Sequence, residues 1–376
     1  MQASSKRTVV GSMYTTAMSS KIRVKIEPID DQWNSPPINL FVHVLKYFPV
    51  HDMKRSIVLV NKDWKRAAEY AIGKEKRLDL HFVATDDNRR FIPSRTELPD
   101  RIIVTDENSA QVMLVMKQMK SVKHLQMHKY YRDAEFISDM SSSLLRMWSS
   151  QLISLRTFHI NIQDLKLPHL QELHVGHSIF DRCGRQLLDA ITIPHQLKAL
   201  SMSLDSRRDS FPSDVRCILE FKNLTKLKLE IPDSTSGKEK HVRLMFRAFT
   251  QLTSFHYEGR LDNHKDGNDV AIDKLVSMNP RLQEIRLMKV IVSEASLESL
   301  MRLQDLQFVS IIFSQSLSSD SWLDLLRGAS RTTILELNFT LVRRTGNEMS
   351  DLEQEILDIE ALTGRRIKCN AVYALK

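Results

Sequence analysis

Leu197-Lys-Ala-Leu200-Ser-Met202 and, 27 residues on, Leu224-Thr-Lys-Leu227-Lys-Leu229 are two copies of one hexad, apolar at its first, fourth and sixth places. Working outward, the same spacing returns upstream as Leu155–Phe158–Ile160 and Leu170–Leu173–Val175. Downstream it returns as Leu252–Phe255–Tyr257, Leu282–Ile285–Leu287, Leu306–Val309–Ile311 and Ile334–Leu337–Phe339. From Leu170 the starts are 27, 27, 28, 30, 24 and 28 residues apart. The fourth and sixth places alternate as inward residues of a short strand do. The remainder of each period has room for one helix. A unit of that size cannot bury its own apolar face, so copies must stack into a solenoid.

Helical patterns fall between the hexads, at 183–191, 213–221, 241–250, 270–278, 294–302 and 320–328. Hexad and period together resemble a leucine-rich repeat. The resemblance implies an α/β solenoid of short parallel strands alternating with helices, over 151–345. The Asn or Cys usual in that family three places after the hexad is mostly missing; Gln163, Ser178, Asp205 and Pro232 stand there. Leu170 follows Leu155 too closely for a full helix between them. Residues 76–150 read as a linker with irregular first repeats. There Leu78–Leu80 and Ile102–Val104 look like strands, Val122–Leu125–Met127 fits the hexad, and 111–119 and 136–148 are helical. The amphipathic stretch 349–363 makes 346–376 a candidate C-terminal cap.

Composition narrows the classes. Hydrophobic residues make up 42% of 376, enough for a substantial core, and the three cysteines, Cys183, Cys217 and Cys369, are far apart. That is neither a disulfide framework nor a zinc motif, and it favours a reducing compartment. No apolar run approaches the roughly 18 residues of a membrane span, and no signal-peptide pattern opens the chain. The expected location is cytoplasm or nucleus, with no membrane partner. The net charge of +8 is concentrated early: residues 1–80 hold 14 Lys/Arg against 8 Asp/Glu, and the rest 40 against 38. A near-neutral repeat region lacks the basic field that phosphate backbones select, so nucleic acid is not an expected partner.

Residues 1–34 read as a flexible, polar arm. Within it Val24-Lys25-Ile26-Glu27 resembles an acceptor site for the small ubiquitin-like modifier, which makes Lys25 a candidate modified residue. Residues 35–75 are helical in pattern: Leu40, Phe41, Val44, Leu45 and Phe48 form one stripe. Met53, Ile57, Val60 and Trp64 form another at helical spacing. So small a block needs a partner to cover its apolar faces. Pro37, Leu40 through Leu45, Tyr47-Phe48-Pro49, Asp52-Met53 and Val60-Asn61-Lys62-Asp63-Trp64 together resemble an F-box, with Pro36 in place of the usual Leu and Asn61 in place of Cys. The resemblance implies docking on an SKP adaptor, and through it a cullin. Pro37, Leu40, Phe41, Val44, Leu45, Tyr47, Pro49, Met53 and Trp64 would be the contact residues.

In the repeats, alternation turns the residues between the hexad apolars to an open, concave face. Lys226, Lys228, His256 and Arg286 form a basic cluster there, offset by Glu230, Glu258 and Glu284; Phe308, Met288 and Ile312 project nearby. Lys226, Lys228, His256, Arg286 and Phe308 are the candidate substrate-binding residues, able to receive an acidic or phosphorylated segment. His159, His174 and His256 fall in one column of this face. His256 is three strands past His174, roughly 14 Å at strand spacing, too far for a shared ion. No metal or cofactor is expected. Phosphate-loop, dinucleotide, nucleophile-elbow and zinc-protease motifs are all missing, so no catalysis is expected either. The function implied is a substrate-recognition subunit of an SKP–cullin–F-box ubiquitin ligase. The alternatives are a repeat scaffold without a ligase and a basic, nucleic-acid-associated nuclear protein.

Overall fold

The structure, a computed structural model, describes residues 76–82, 102–105, 107–129, 135–157, 165–177, 183–231, 239–261, 268–290, 292–312, 336–343, 348–363 and 366–373. The chain divides into two compact units, Met1–Ala71 and Ile72–Lys376, and every described residue belongs to the second. The adaptor-contact candidates Pro37, Leu40, Phe41, Val44, Leu45, Tyr47, Pro49, Met53 and Trp64 lie outside the described residues, as does Lys25.

Twelve strands form one sheet: β1 (Arg77–Phe82), β2 (Ile102–Val104), β3 (His124–Lys129), β4 (Ser154–Thr157), β5 (Glu172–His177), β6 (Ala199–Ser203), β7 (Lys226–Ile231), β8 (Ser254–Leu261), β9 (Glu284–Val290), β10 (Phe308–Ile312), β11 (Glu336–Arg343) and β12 (Arg366–Tyr373). All neighbours pair in parallel. From β3 onward spatial order follows chain order; at the other end β1 lies between β2 and β3. This is the expected α/β architecture of parallel strands alternating with helices, consistent with a leucine-rich-repeat solenoid. Among the described residues the α-helices between strands are Ser109–Met116, Glu135–Trp148, Cys183–Ala190, Phe211–Ile218, Glu239–Ala248, Asn268–Met278, Glu294–Met301 and Glu348–Thr363. Local chemistry starts some of them: Ser293 accepts a hydrogen bond from the Ser296 N–H at 3.2 Å as an N-cap, and Pro212 occupies the first turn of Phe211–Ile218.

A ladder of shared carbonyls holds the repeats in frame. The second hexad residue of each repeat accepts N–H groups from the second and third hexad residues of the next, at 2.7–3.1 Å. Its acceptors are Lys76, Lys123, Ile153, Gln171, Lys198, Thr225, Thr253 and Gln283. With these backbone groups paired, the inward side chains can be apolar without exception at most places. Leu227, Leu229, Phe255, Tyr257, Ile285, Leu287, Val309 and Ile311 are all buried. Facing them, the helices and their ends supply Val242, Met245, Phe246, Phe249, Ile272, Leu275, Leu297 and Leu300. Phe246 meets Phe255 and Tyr257 edge to face, at 5.0 and 5.3 Å between centroids, a favoured aromatic geometry.

Two sequence readings need adjusting. The Leu155 hexad is framed three residues late: Leu155 pairs with Leu173 and Arg156 with His174. The hexad is therefore Leu152–Leu155–Thr157, its last place filled by a fully buried threonine. His159, assigned to the His174 column by the wrong frame, lies outside the described residues, and Arg156 holds that place. The C-terminal segment 346–376 contains the helix Glu348–Thr363 and also β12, paired along its length with β11, so the sheet continues beyond 345. Among the described residues no helix is long and apolar enough to cross a membrane.

Candidate functional site

Side chains that alternate with the buried hexad residues line the sheet's open face, and the register fixes their order. One row runs Gln126, Arg156, His174, Ser201, Lys228, His256, Arg286, Ser310 across β3 to β10. The adjoining row carries Lys226, Ser254, Glu284 and Phe308 on β7 to β10. The five sequence candidates, Lys226, Lys228, His256, Arg286 and Phe308, thus come together on four consecutive strands.

The charges of Lys228 and Arg286 are matched by neighbouring carboxylates. Lys228 Nζ lies 2.6 Å from Glu230 Oε1, and Arg286 Nε lies 2.6 Å from Glu284 Oε1. The Arg286 guanidinium also sits 4.2 Å from the centroid of the Phe308 ring, a cation–π contact. Glu284 Oε2 accepts from the Ser254 hydroxyl at 2.8 Å. Burial acts to raise the Glu284 carboxyl, but the hydrogen bonds from Ser254 and Arg286 outweigh it and hold the group below its ordinary value. Lys289, whose backbone is left-handed (φ 62°), extends its ammonium to 3.2 Å from Glu258 Oε1 where the β8–β9 register shifts. His256 is pushed down by burial and by Lys228 and Arg286, against the opposite pull of Glu230 and Glu258. His174 is pushed down to about 4, by burial first and then by Arg156 and Lys228. Both imidazoles are therefore neutral at pH 7. The face offers paired charges, neutral ring nitrogens, hydroxyls and one aromatic ring, not a uniform positive field.

A second group, passed over in the sequence, occupies the other end of the sheet. Asp79 and His81 on β1 share a face at alternate positions, and His81 stands opposite His128 of β3. Asp79 Oδ1 is 3.1 Å from His81 Nε2 and 3.4 Å from His128 Nε2, and one ligand atom from each residue lies within 4.8 Å of the others. The two imidazoles stack, with centroids 4.4 Å apart and planes 17° from parallel. His81 is buried, while Asp79 and His128 are partly open. Burial acts to raise the Asp79 carboxyl; hydrogen bonds from His128 and His81 overcome it and hold the group well below the usual carboxylate range. The Gln126 side-chain amide lies against His128 Nε2. A legible signal existed: Leu78-Asp79-Leu80-His81 and Leu125-Gln126-Met127-His128 have the same frame.

On the helical side a groove of about 360 Å³ is lined by Leu188, Pro194, Ser213, Arg216, Cys217 and Glu220. Burial pushes the Cys217 thiol up, away from the thiolate that a nucleophile needs.

No family model matches the chain, and no curated protein does. Among solved structures it is similar to an internalin, InlF, from Listeria monocytogenes, at 10% identity and a TM-score of 0.37, with 88% of this chain and 92% of the internalin covered.

Proposed function

We propose that the protein binds a protein partner along the open face of its sheet, and that residues 35–75 bring this partner to an SKP–cullin ubiquitin ligase. The first half of the reading rests on one observation: Lys226, Lys228, His256, Arg286 and Phe308 lie in two adjoining rows on four consecutive parallel strands. Surface ion pairs such as Lys228–Glu230 and Arg286–Glu284 contribute only about 0–1 kcal/mol. An acidic or phosphorylated segment can therefore exchange with the resident carboxylates at little cost. Neutral His174 and His256 add hydrogen-bonding groups that tell one such segment from another. The second half rests on the F-box resemblance of Pro37 to Trp64. On this reading the chain is a non-catalytic subunit of the cytoplasm or nucleus. Its contribution is proximity, raising the effective concentration of a target lysine at the conjugating enzyme.

The test is a pull-down with purified SKP adaptor, using the full chain and a Leu45→Asp, Met53→Asp double variant. Capture by the wild type and its loss in the variant, with unchanged circular dichroism, is the expected result. Failure of the wild type to bind overturns the ligase reading and leaves a repeat scaffold without a ligase.

A further inference from the structure

The Asp79–His81–His128 group has the composition and spacing of a ligand set. Aspartate oxygen and imidazole nitrogen are the hard-to-borderline donors that zinc and its neighbours take, at metal–ligand distances near 2.0–2.1 Å. In a tetrahedron of that size two ligand atoms are about 3.3 Å apart. The separations of 3.1 and 3.4 Å from Asp79 Oδ1 to the two Nε2 atoms bracket that value. The donors stand on two hydrogen-bonded strands whose register sets His81 opposite His128 and Asp79 opposite Gln126. The backbone therefore sets the three residues side by side, and the two imidazoles, stacked 17° from parallel, turn about their side-chain torsions to bring both Nε2 lone pairs onto one ion. Burial of His81 on one side and partial exposure of Asp79 and His128 on the other give an enclosed floor and an open entrance. Gln126, against His128, can turn its amide oxygen inward by rotating its last torsion, and water can fill the same fourth place.

We propose that Asp79, His81 and His128 bind one divalent transition-metal ion of the zinc class, through Asp79 Oδ1 and the two Nε2 atoms. Both imidazoles bind as neutral ligands with their hydrogen on Nδ1, and any proton on Nε2 is released to solvent. The ion clips β1 to β3, at the junction where spatial order departs from chain order. It is a structural fastening near the end of the sheet and is independent of partner binding on β7 to β10.

The experiment uses the full chain, stripped with a chelator and titrated with Zn²⁺ by calorimetry and with Co²⁺ by visible absorption. The expected result is one tight equivalent of Zn²⁺, intense tetrahedral Co²⁺ bands, and a melting temperature a few degrees higher with zinc. Asp79→Asn and His128→Gln should each weaken uptake by more than the roughly tenfold to hundredfold that loss of an outer-shell partner costs. His174→Gln should keep it. If the wild type shows no saturable equivalent, or only weak octahedral Co²⁺ absorption, the proposal is overturned and Asp79 is a brace between two imidazoles. Uptake that survives both variants with the fold intact overturns it too. Should either variant fail to fold, the wild-type cobalt spectrum and the other variant decide.

Discussion

From β6 to β9 each passage between strands contains a helix, whereas among the described residues from β4 to β5 there is none. In the first region the helices Phe211–Ile218, Glu239–Ala248 and Asn268–Met278 close the back of the sheet. In the second, residues 165–170 cross as turn and coil, burying Leu165, Leu167 and Leu170. That crossing leans on the next helix: the Leu167 N–H and the Lys166 ammonium donate to the last carbonyls of Cys183–Ala190, both at 2.8 Å. Yet the carbonyl ladder passes through both regions without a break, from Lys123 to Ile153 to Gln171 to Lys198 and onward. The front of the solenoid is thus set by backbone hydrogen bonds that stay the same across the short and the long repeats of this chain. The back is set by side-chain volume, which does not.

The largest effect that sharpens this contrast lies in the regular region. Phe246→Ala removes the ring packed against both Phe255 and Tyr257 in a fully buried place. It should lower the unfolding free energy by about 3–5 kcal/mol, read by urea denaturation. Leu167→Ala, in the turn and coil of 165–170, should stay near the lower end of the about 2–5 kcal/mol range for leucine, because a turn collapses onto a cavity more readily than a helix does. A larger loss at Leu167 than at Phe246 would break the contrast.

The same division governs what could be read from the sequence. Strands β6 to β9 were legible because all three hexad places are apolar and each helix has its own pattern. At β4 the true frame ends in Thr157, so the apolar triplet Leu155–Phe158–Ile160 was the better textual match and the worse physical one. β12 was hidden for a related reason: pairing of Leu337 with Ile367 sets its hexad to begin at Gly364, which carries no apolar side chain. The candidate cluster on β7 to β10 followed from strand alternation alone. Asp79 and His81 did not: the hexad there begins at Glu75, and the frame that Leu78-Asp79-Leu80-His81 shares with Leu125-Gln126-Met127-His128 brings a carboxylate beside two histidines because β1 pairs directly with β3, while β2, next in the chain, takes its other side.

A smaller effect contrasts the two regions by pH. His174, on β5, drops from 6.5 to about 4 in the fold; it faces Arg156, Lys228, Glu230 and His128. A depressed value means that the unfolded chain takes up the proton first as pH falls. The stabilisation is complete above 6.5 and is lost as pH falls toward 4. His174→Gln should therefore flatten the dependence of melting temperature on pH across that window. His256, on β8, shifts in the same direction, again by burial first, and His256→Gln should flatten it less. Equal slopes in the wild type and in His174→Gln would show that the ring does not carry this pH dependence.

The smallest effect bears most directly on function. Arg286 is held by Glu284 and by the Phe308 ring, two contacts of about 0–1 and 0.5–1 kcal/mol at an exposed place. Arg286→Gln and Phe308→Ala should each shift stability by no more than about 1 kcal/mol, and a double-mutant cycle should give a coupling in the same range. A weak coupling means that the guanidinium is available to an incoming carboxylate or phosphate, as partner binding on this face requires. A coupling well above it would make the Arg286–Phe308 pair a fixed part of the fold. The regular region would then be closed to ligands at the point where its cations and its aromatic ring converge.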